Sequence, residues 1–422
     1  MAIIETPREA PDTTPPIEAT ELHVEDQPRP VRRFGSYILK VGKVAAIGLI
    51  VGGSYAASEA PGAAEIRLGA ELAAADAHSL LGEPRLGPLD QQSVDSAYNY
   101  LMANFSAGDG KFRNNNGLVS SYTAFWGQAA TEGAIHFAYL TTGRERYASE
   151  LHQDFQANTL YFITGKNRAA SGFTPSIDFL RSGDSALYID DNLWEGIIRV
   201  EKYALSHDSQ DLQIAQQVFN LAVSQWDNGP GGIYWVKQTP NETHHSRNAV
   251  SNAPAAILGA ALYRITNNPY YKSWSTKILN WIDNNLYDPA TGLINDHINS
   301  DGTVGATKWT YVQGITAAAM AATGNVAEAA SLINRSLDYF GQASLYNNPE
   351  FDAIFFKYAL WIASLDGRAE FTKKVRASLA LAITEEPLNP SHLLGAAGEL
   401  QLVSLSHMNP SAYQKLFDYS PR

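Results

Sequence analysis

From about Gln91 onward the hydrophobic positions repeat one plan: an apolar segment rich in small residues, a tight polar turn, then a more amphipathic segment that begins near an aromatic or Leu. Six turns mark the repeat: Thr142-Gly143-Arg144, His207-Asp208-Ser209, Thr266-Asn267-Asn268-Pro269, Thr323-Gly324-Asn325, Leu365-Asp366-Gly367 and Ser406-His407-Met408-Asn409-Pro410. Gly and Asn accept the left-handed conformation that ends a helix, and Pro suits the first turn of the next, so each segment reads as a helical hairpin. The segments before the turns, such as Asn252 to Leu262 and Ile315 to Ala322, are apolar nearly all round. Those after the turns carry Lys, Glu and Gln on one face. Low polarity suits an inner ring and amphipathicity an outer one, which predicts an all-α fold, an (α/α)6 barrel of six helical hairpins. An open solenoid shares the periodicity; closure is inferred from the count of six and the lack of obvious capping repeats. Strand-like material is confined to short pieces such as Gly232-Ile233-Tyr234-Trp235-Val236, expected as a small hairpin at the mouth.

The first 86 residues follow a different pattern. A Pro- and Glu-rich stretch to about Pro30 and a basic cluster (Arg29, Arg32, Arg33, Lys40, Lys43) precede an apolar run over 44–57. That order is the order of an export signal, and the run is short beside the roughly 20 apolar residues of a spanning helix. Residues 1–86 are therefore read as a leader with a signal or anchor segment and a linker, and 87–422 as the barrel domain. The expected location is secreted or membrane-anchored, outside the cytoplasm, with a possible tether through the apolar run and a monomeric barrel.

Composition narrows the ligand. A net charge of -12 over 422 residues leaves no broad basic surface for nucleic acid. With 8 Trp and 21 Tyr, the chain can line a groove for a neutral, hydroxyl-rich ligand. The absence of cysteine removes thiolate metal sites and Cys nucleophiles.

The sharpest local feature is Tyr188-Ile189-Asp190-Asp191-Asn192-Leu193-Trp194-Glu195, in which two carboxylates stand at the start of an inner helix. Glycosidic hydrolysis uses two carboxyl groups, one protonated to donate to the leaving oxygen and one ionised to attack or to activate water. Adjacent like charges push one pKa up, which divides those roles near neutral pH. The competing explanation is that Asp at a helix start caps free N–H groups and favours the helix dipole. His244-His245, with Asp227, Glu242 or Asp296, lacks the helix-fixed spacing of a metal ligand set, so no metal and no cofactor are expected.

Taken with their neighbours, these residues resemble glycoside hydrolase family 76, the endo-α-1,6-mannanases and their fungal cell-wall relatives. The resembling stretches run in order from about Tyr122 to about Ala363. They are Phe125-Trp126-Gly127-Gln128-Ala129, Asp190-Asp191-Asn192-Leu193-Trp194, Gly231-Gly232-Ile233-Tyr234-Trp235, Asn248-Ala249-Val250-Ser251-Asn252-Ala253 leading into Leu262-Tyr263-Arg264-Ile265-Thr266, Trp309-Thr310-Tyr311-Val312-Gln313-Gly314, and Asp352-Ala353-Ile354-Phe355-Phe356-Lys357-Tyr358. The resemblance implies an (α/α)6 barrel and a retaining glycosidase acting on α-mannan or α-mannooligosaccharides, with Asp190 as nucleophile and Asp191 as general acid/base. Lys357 departs from the Arg expected there in many relatives.

Trp126, Trp194, Trp235, Trp309 and Tyr311 are candidate sugar-stacking residues, with Trp235, Trp309 and Tyr311 favoured because they sit beside loops or helix starts. Gln128, Asn248, Asn252 and Gln313 are amides in otherwise apolar inner helices, where each either bonds neighbouring helices or addresses sugar hydroxyls. The function expected is cleavage of the α-1,6-mannan backbone. The alternatives are a mannan transglycosylase, which shares the glycosyl-enzyme intermediate, or a non-catalytic mannan-binding protein on the same fold.

Overall fold

The computed structural model describes residues 88–115, 121–163, 171–177, 186–238, 242–342, 348–385, 390–409 and 413. The leader, including the apolar run 44–57, lies outside the described residues. Among the described residues no helix is long and apolar enough to cross a membrane.

Twelve helices are described: α1 (Pro88–Phe105), α2 (Phe125–Thr142), α3 (Glu145–Asn158), α4 (Ile189–Ser206), α5 (Ser209–Ser224), α6 (Ala249–Thr266), α7 (Pro269–Leu286), α8 (Thr310–Ala322), α9 (Val326–Gln342), α10 (Pro349–Asp366), α11 (Ala369–Glu385) and α12 (Leu393–His407). The even-numbered helices each pack on the next, and α12 packs back on α2, so the ring is closed and the barrel expected from the turns is present. Each odd-numbered helix from α3 to α11 lies outside the inner helix that precedes it.

Why the helices sort this way is visible in their faces. In α6 every residue from Ala249 to Leu262 is buried, as befits an element with neighbours on all sides. In α7 only one row is fully buried, including Tyr271, Ser275, Ile278 and Ile282, and the opposite face meets water. The turns are built as their residues suggest. Gly143 and Asn267 close their helices in the left-handed conformation. Asp208 and Asn268 then cap the following helices by accepting from the N–H of Gln210 and Tyr270.

One pairing differs from six successive hairpins. The outer partner of α12 is α1, from the other end of the described chain, so the first and last helices close the ring together. Residues beyond the Ser406–Pro410 turn, apart from Tyr413, lie outside the described residues.

Strands are short, two or three residues each. β1 (Ser106–Gly108) pairs with β2 (Lys111–Phe112), β3 (Phe162–Ile163) with β4 (Gly172–Phe173), and β6 (Tyr287–Asp288) with β7 (Leu293–Ile294), all antiparallel. β5 (Arg247–Asn248), β8 (His297–Ile298) and β9 (Val304–Gly305) form one small sheet. The segment around Ile233 makes isolated bridges, Trp226 with Ile233 and Tyr188 with Val236, giving the expected mouth hairpin. These pieces join outer helices to the starts of inner ones, so they gather at the end of the barrel where the inner helices begin.

Candidate active site

Asp190 and Asp191 occupy the first turn of α4, at the positive end of its dipole. The turn is fastened to the mouth hairpin, because the N–H of Ile189 donates to the carbonyl of Trp235 at 2.9 Å. The indole N–H of Trp235 then donates to Asp190 Oδ2 at 2.9 Å, and the N–H of Asp191 donates to Asp190 Oδ1 at 3.0 Å. Both oxygens of Asp190 are thus held. The N-cap residue is Tyr188, which makes no side-chain cap bond; the Asp190 carboxyl draws on the N–H groups of Asp191 and of Asp190 itself, and the Asp191 carboxyl on none. Capping does not explain two aspartates here.

The two carboxyls, both half-buried, differ in surroundings. Burial lifts Asp190 to about 6, the Trp235 and Asp191 donors pull it down, and Asp296 pushes it up. Asp191 is raised well above the usual carboxylate range, first by burial and then by the charge of Asp190. At neutral pH this split favours an ionised Asp190 beside a protonated Asp191.

The hairpin that carries Trp235 is itself clamped. Asn252 accepts from the N–H of Ile233 at 2.8 Å and donates to its carbonyl at 3.1 Å and to that of Asn248 at 2.8 Å. Asn192 grips both backbone groups of Phe173 and the carbonyl of Tyr188 in the same way. Gln313 grips Ile294 and the carbonyl of Trp309 likewise. Gln128 donates to the carbonyl of Gly110 at 2.7 Å. All four amides stand four residues after the N-cap of their inner helix. The expectation that Gln128, Asn252 and Gln313 address sugar hydroxyls therefore gives way to its alternative. They are fully buried, and they pin the rim segments that enter the barrel. Asn248 is half-buried on β5, opposite His297 on β8, and its buried Oδ1, like Gln128 Oε1, has no partner among the described residues.

Around Ile233 the hairpin lies flat on Trp281, whose indole N–H donates to the carbonyl of Pro230. A Cβ at Gly232 would come within 2.4 Å of that ring, which explains the Gly at this place in the motif. Arg247 and Tyr234 both bond Asp227 Oδ2, tying the hairpin to β5.

Three of the candidate aromatics meet at a residue that sequence reading missed. Phe351, in the first turn of α10, stacks on Tyr311 at 4.3 Å and on Trp126 at 5.8 Å, and meets the edge of Trp309 at 5.5 Å. One face each of Tyr311 and Trp126 is spent on this cluster. The phenol of Tyr311 is raised by burial and by the charges of Asp296 and Asp190, which holds it neutral. Trp126 and Trp194 face a cavity inside the ring, with Glu350, Lys357 and Gln401. Lys357 is paired there with Glu201 at 2.6 Å. Trp235 is flanked by Tyr188 and His244. His244 bonds Glu242 and His245 bonds Gln238; among the described residues no group of three His, Cys, Asp or Glu is arranged to hold a metal ion.

Comparison with known proteins identifies the family and agrees with the fold. A profile described as Glycosyl hydrolase family 76 matches residues 91–361. The chain belongs to glycosyl hydrolase family 76. A Schizosaccharomyces pombe protein named for mannan endo-1,6-alpha-mannosidase activity is 27% identical over 249 residues, which are 54% of this chain and 51% of that protein. The chain thus spans about half the length of that curated relative. The α-1,6-mannanase of Salegentibacter sp. HEL1_6 superposes with a TM-score of 0.61 at 20% identity, covering 75% of this chain and 98% of that one. It is also known as an inactive variant, with two consecutive aspartates replaced by asparagine, in complex with α-1,6-mannotriose. A family 76 α-mannanase of Bacteroides thetaiotaomicron gives a TM-score of 0.64 at 16% identity, with 79% and 98% covered. Family membership and an α/α barrel are thus in agreement for this chain.

Proposed function

We propose that this protein hydrolyses α-1,6 linkages of an α-mannan backbone with retention of configuration, with Asp190 as nucleophile and Asp191 as general acid/base. The observation that carries the reading is the unequal environment of the pair: two donors hold Asp190 as an oriented carboxylate, while burial and the neighbouring charge keep the proton on Asp191.

In the first step Asp190 attacks the anomeric carbon, the bond to the leaving oxygen breaks, and Asp191 delivers its proton to that oxygen. In the second, Asp191 takes a proton from water, the water attacks the same carbon, and Asp190 leaves as a carboxylate. The Trp235 N–H strengthens as a donor when Asp190 regains its charge. Trp235, Trp126 and Trp194 supply apolar faces to the sugar ring. The leader, with its basic cluster and apolar run, exports or tethers a monomeric enzyme.

The test is incubation with linear α-1,6-mannan, with the products and their anomeric configuration resolved. Asp190→Asn and Asp191→Asn each lower turnover of mannan by about 10²- to 10⁴-fold or more. Asp191→Asn retains attack on an activated aryl mannoside and is rescued by azide. Two folded variants with near-wild-type turnover would overturn the assignment.

A further inference from the structure

The outer wall of the barrel carries an aromatic row that the active site does not use. On α7, Tyr270, Trp274 and Lys277 are spaced by four and three residues, so they share one face, displaced from the fully buried row of Tyr271, Ser275, Ile278 and Ile282. Tyr270 is 43% exposed, and Trp274 is half-buried. Trp226, which follows the end of α5, meets Trp274 at 5.5 Å, and Tyr270 meets Trp274 at 6.5 Å. Lys277 Nζ bridges the two indoles, 4.2 Å from the ring of Trp226 and 4.3 Å from that of Trp274.

The indole N–H groups set Trp226 and Trp274 apart from Trp235 and Trp281. Those of Trp235 and Trp281 are spent on Asp190 and on the carbonyl of Pro230. Those of Trp226 and Trp274 have no hydrogen-bond partner among the described residues. A Trp whose N–H is left to solvent on an exposed helix face offers a ligand both an apolar ring and a donor. The row also leads to the mouth. Trp226 bridges to Ile233, Asn252 holds Ile233, and two residues further on Trp235 holds Asp190. From Tyr270 to Lys277 the helix rises about 10 Å, room for more than one sugar unit.

We propose that Tyr270, Trp274, Lys277 and Trp226 form a second carbohydrate-binding surface, which holds a neutral mannan chain on the outer wall while another stretch of the same polymer occupies the catalytic mouth. The choice of ligand rests on the function proposed above. The rings take the apolar faces of the sugars, and the free indole donors and the Lys277 ammonium bond their hydroxyls. A chain held at both places has its second attachment made intramolecular, so the gain appears with polymer and not with fragments that fill the mouth alone.

The experiment compares full-length wild-type protein with Trp274→Ala and Tyr270→Ala, on linear α-1,6-mannan and on α-1,6-mannotriose, alongside native electrophoresis in gels containing mannan. Both variants are expected to lose about three- to tenfold in kcat/KM on polymer and to be retarded less by mannan, with mannotriose turnover unchanged. Tyr270→Ala removes an exposed ring, so it reads the surface even where Trp274→Ala folds poorly. Wild-type retardation and polymer turnover in both variants would overturn the proposal, and so would an equal loss on both substrates. If the wild type cleaves neither substrate, the catalytic reading has failed, and the retardation of wild type against variants still decides whether the surface binds mannan.

Discussion

The indole N–H of Trp235 lies 2.9 Å from Asp190 Oδ2, and the carbonyl of the same Trp235 accepts the N–H of Ile189, so one hairpin residue fixes both the start of α4 and the carboxylate it carries. Burial favours the protonated form of a carboxyl, and these donors favour the ionised one. The bond therefore sets the charge state and the orientation of Asp190, the two properties that the proposed nucleophile needs.

Removing only the donor tests this. Trp235→Phe keeps an aromatic ring between Tyr188 and His244 and deletes the N–H. A hydrogen bond to a charged group is worth about 1.5–3 kcal/mol, so kcat/KM on mannan is expected to fall about 10- to 100-fold. The direction in pH is also fixed. With Asp190 as the proposed nucleophile and Asp191 as the proposed acid, the acid limb of activity is expected near pH 6 and the alkaline limb at loss of the Asp191 proton. The Trp235 donor lowers the Asp190 pKa; its loss moves the acid limb toward higher pH. A variant with reduced activity and an unmoved acid limb would assign Trp235 to sugar contact alone.

The amide clamps give a second expectation. Asn252 satisfies both backbone groups of Ile233, two residues before Trp235, from inside the barrel. Asn252→Ala leaves buried groups unpaired, at about 1–3 kcal/mol of stability, and frees the hairpin that positions Asp190. Thermal unfolding and mannan turnover are both expected to fall. Asn252→Asp keeps the acceptor for the Ile233 N–H but sets a buried carboxyl against the carbonyls of Ile233 and Asn248, so it is expected to be destabilised more at neutral pH than at acid pH, where the protonated carboxyl can still donate. Unchanged stability in the alanine variant would show that the clamp carries no weight.

These clamps also mark the boundary of what the sequence discloses. The barrel was legible because turn chemistry and face polarity are local, and the aspartate pair because two adjacent carboxylates at a helix start stand out. That Gln128, Asn252 and Gln313 face backbone was not legible, since a buried amide satisfied by a loop and one facing a sugar look alike in a string of letters. A signal was nevertheless present: Asn192, Asn252 and Gln313 each grip a residue 19 positions earlier, a repeat readable once one loop is known. Phe351 lacked even that, because its role arises where the starts of α2, α8 and α10 meet. The pairing of α1 with α12 likewise depends on the ring closing, which hairpin-by-hairpin reading does not contain.

The last expectation concerns stability. Glu132 on α2 is fully buried; Asn158 of α3 donates to its Oε2 at 2.5 Å, and its Oε1 has no partner among the described residues. Burial, and then the charge of Glu195, lift it to about 8 against the pull of Lys202, Arg199 and Asn158. Asp154, equally buried, is raised well above its ordinary value by burial and by Glu132. Between the usual carboxylate range and about pH 8, the folded protein holds a proton on Glu132 that the unfolded chain has released. Stability from this group is fully present at acid pH and is lost as pH rises through that window. His136, one helical turn on, works oppositely: burial first, then Lys202 and Lys357, lower it to about 3, so its contribution is lost as pH falls below its unfolded value. Glu132→Gln keeps the shape and removes the titration. Its unfolding free energy is expected to fall less steeply than wild type between pH 6 and 8, by up to about 1.4 kcal/mol per pH unit, with Asp154 retaining part of the slope. Denaturant unfolding of both proteins across that range measures it, and identical slopes would mean that Glu132 is already ionised in the folded barrel.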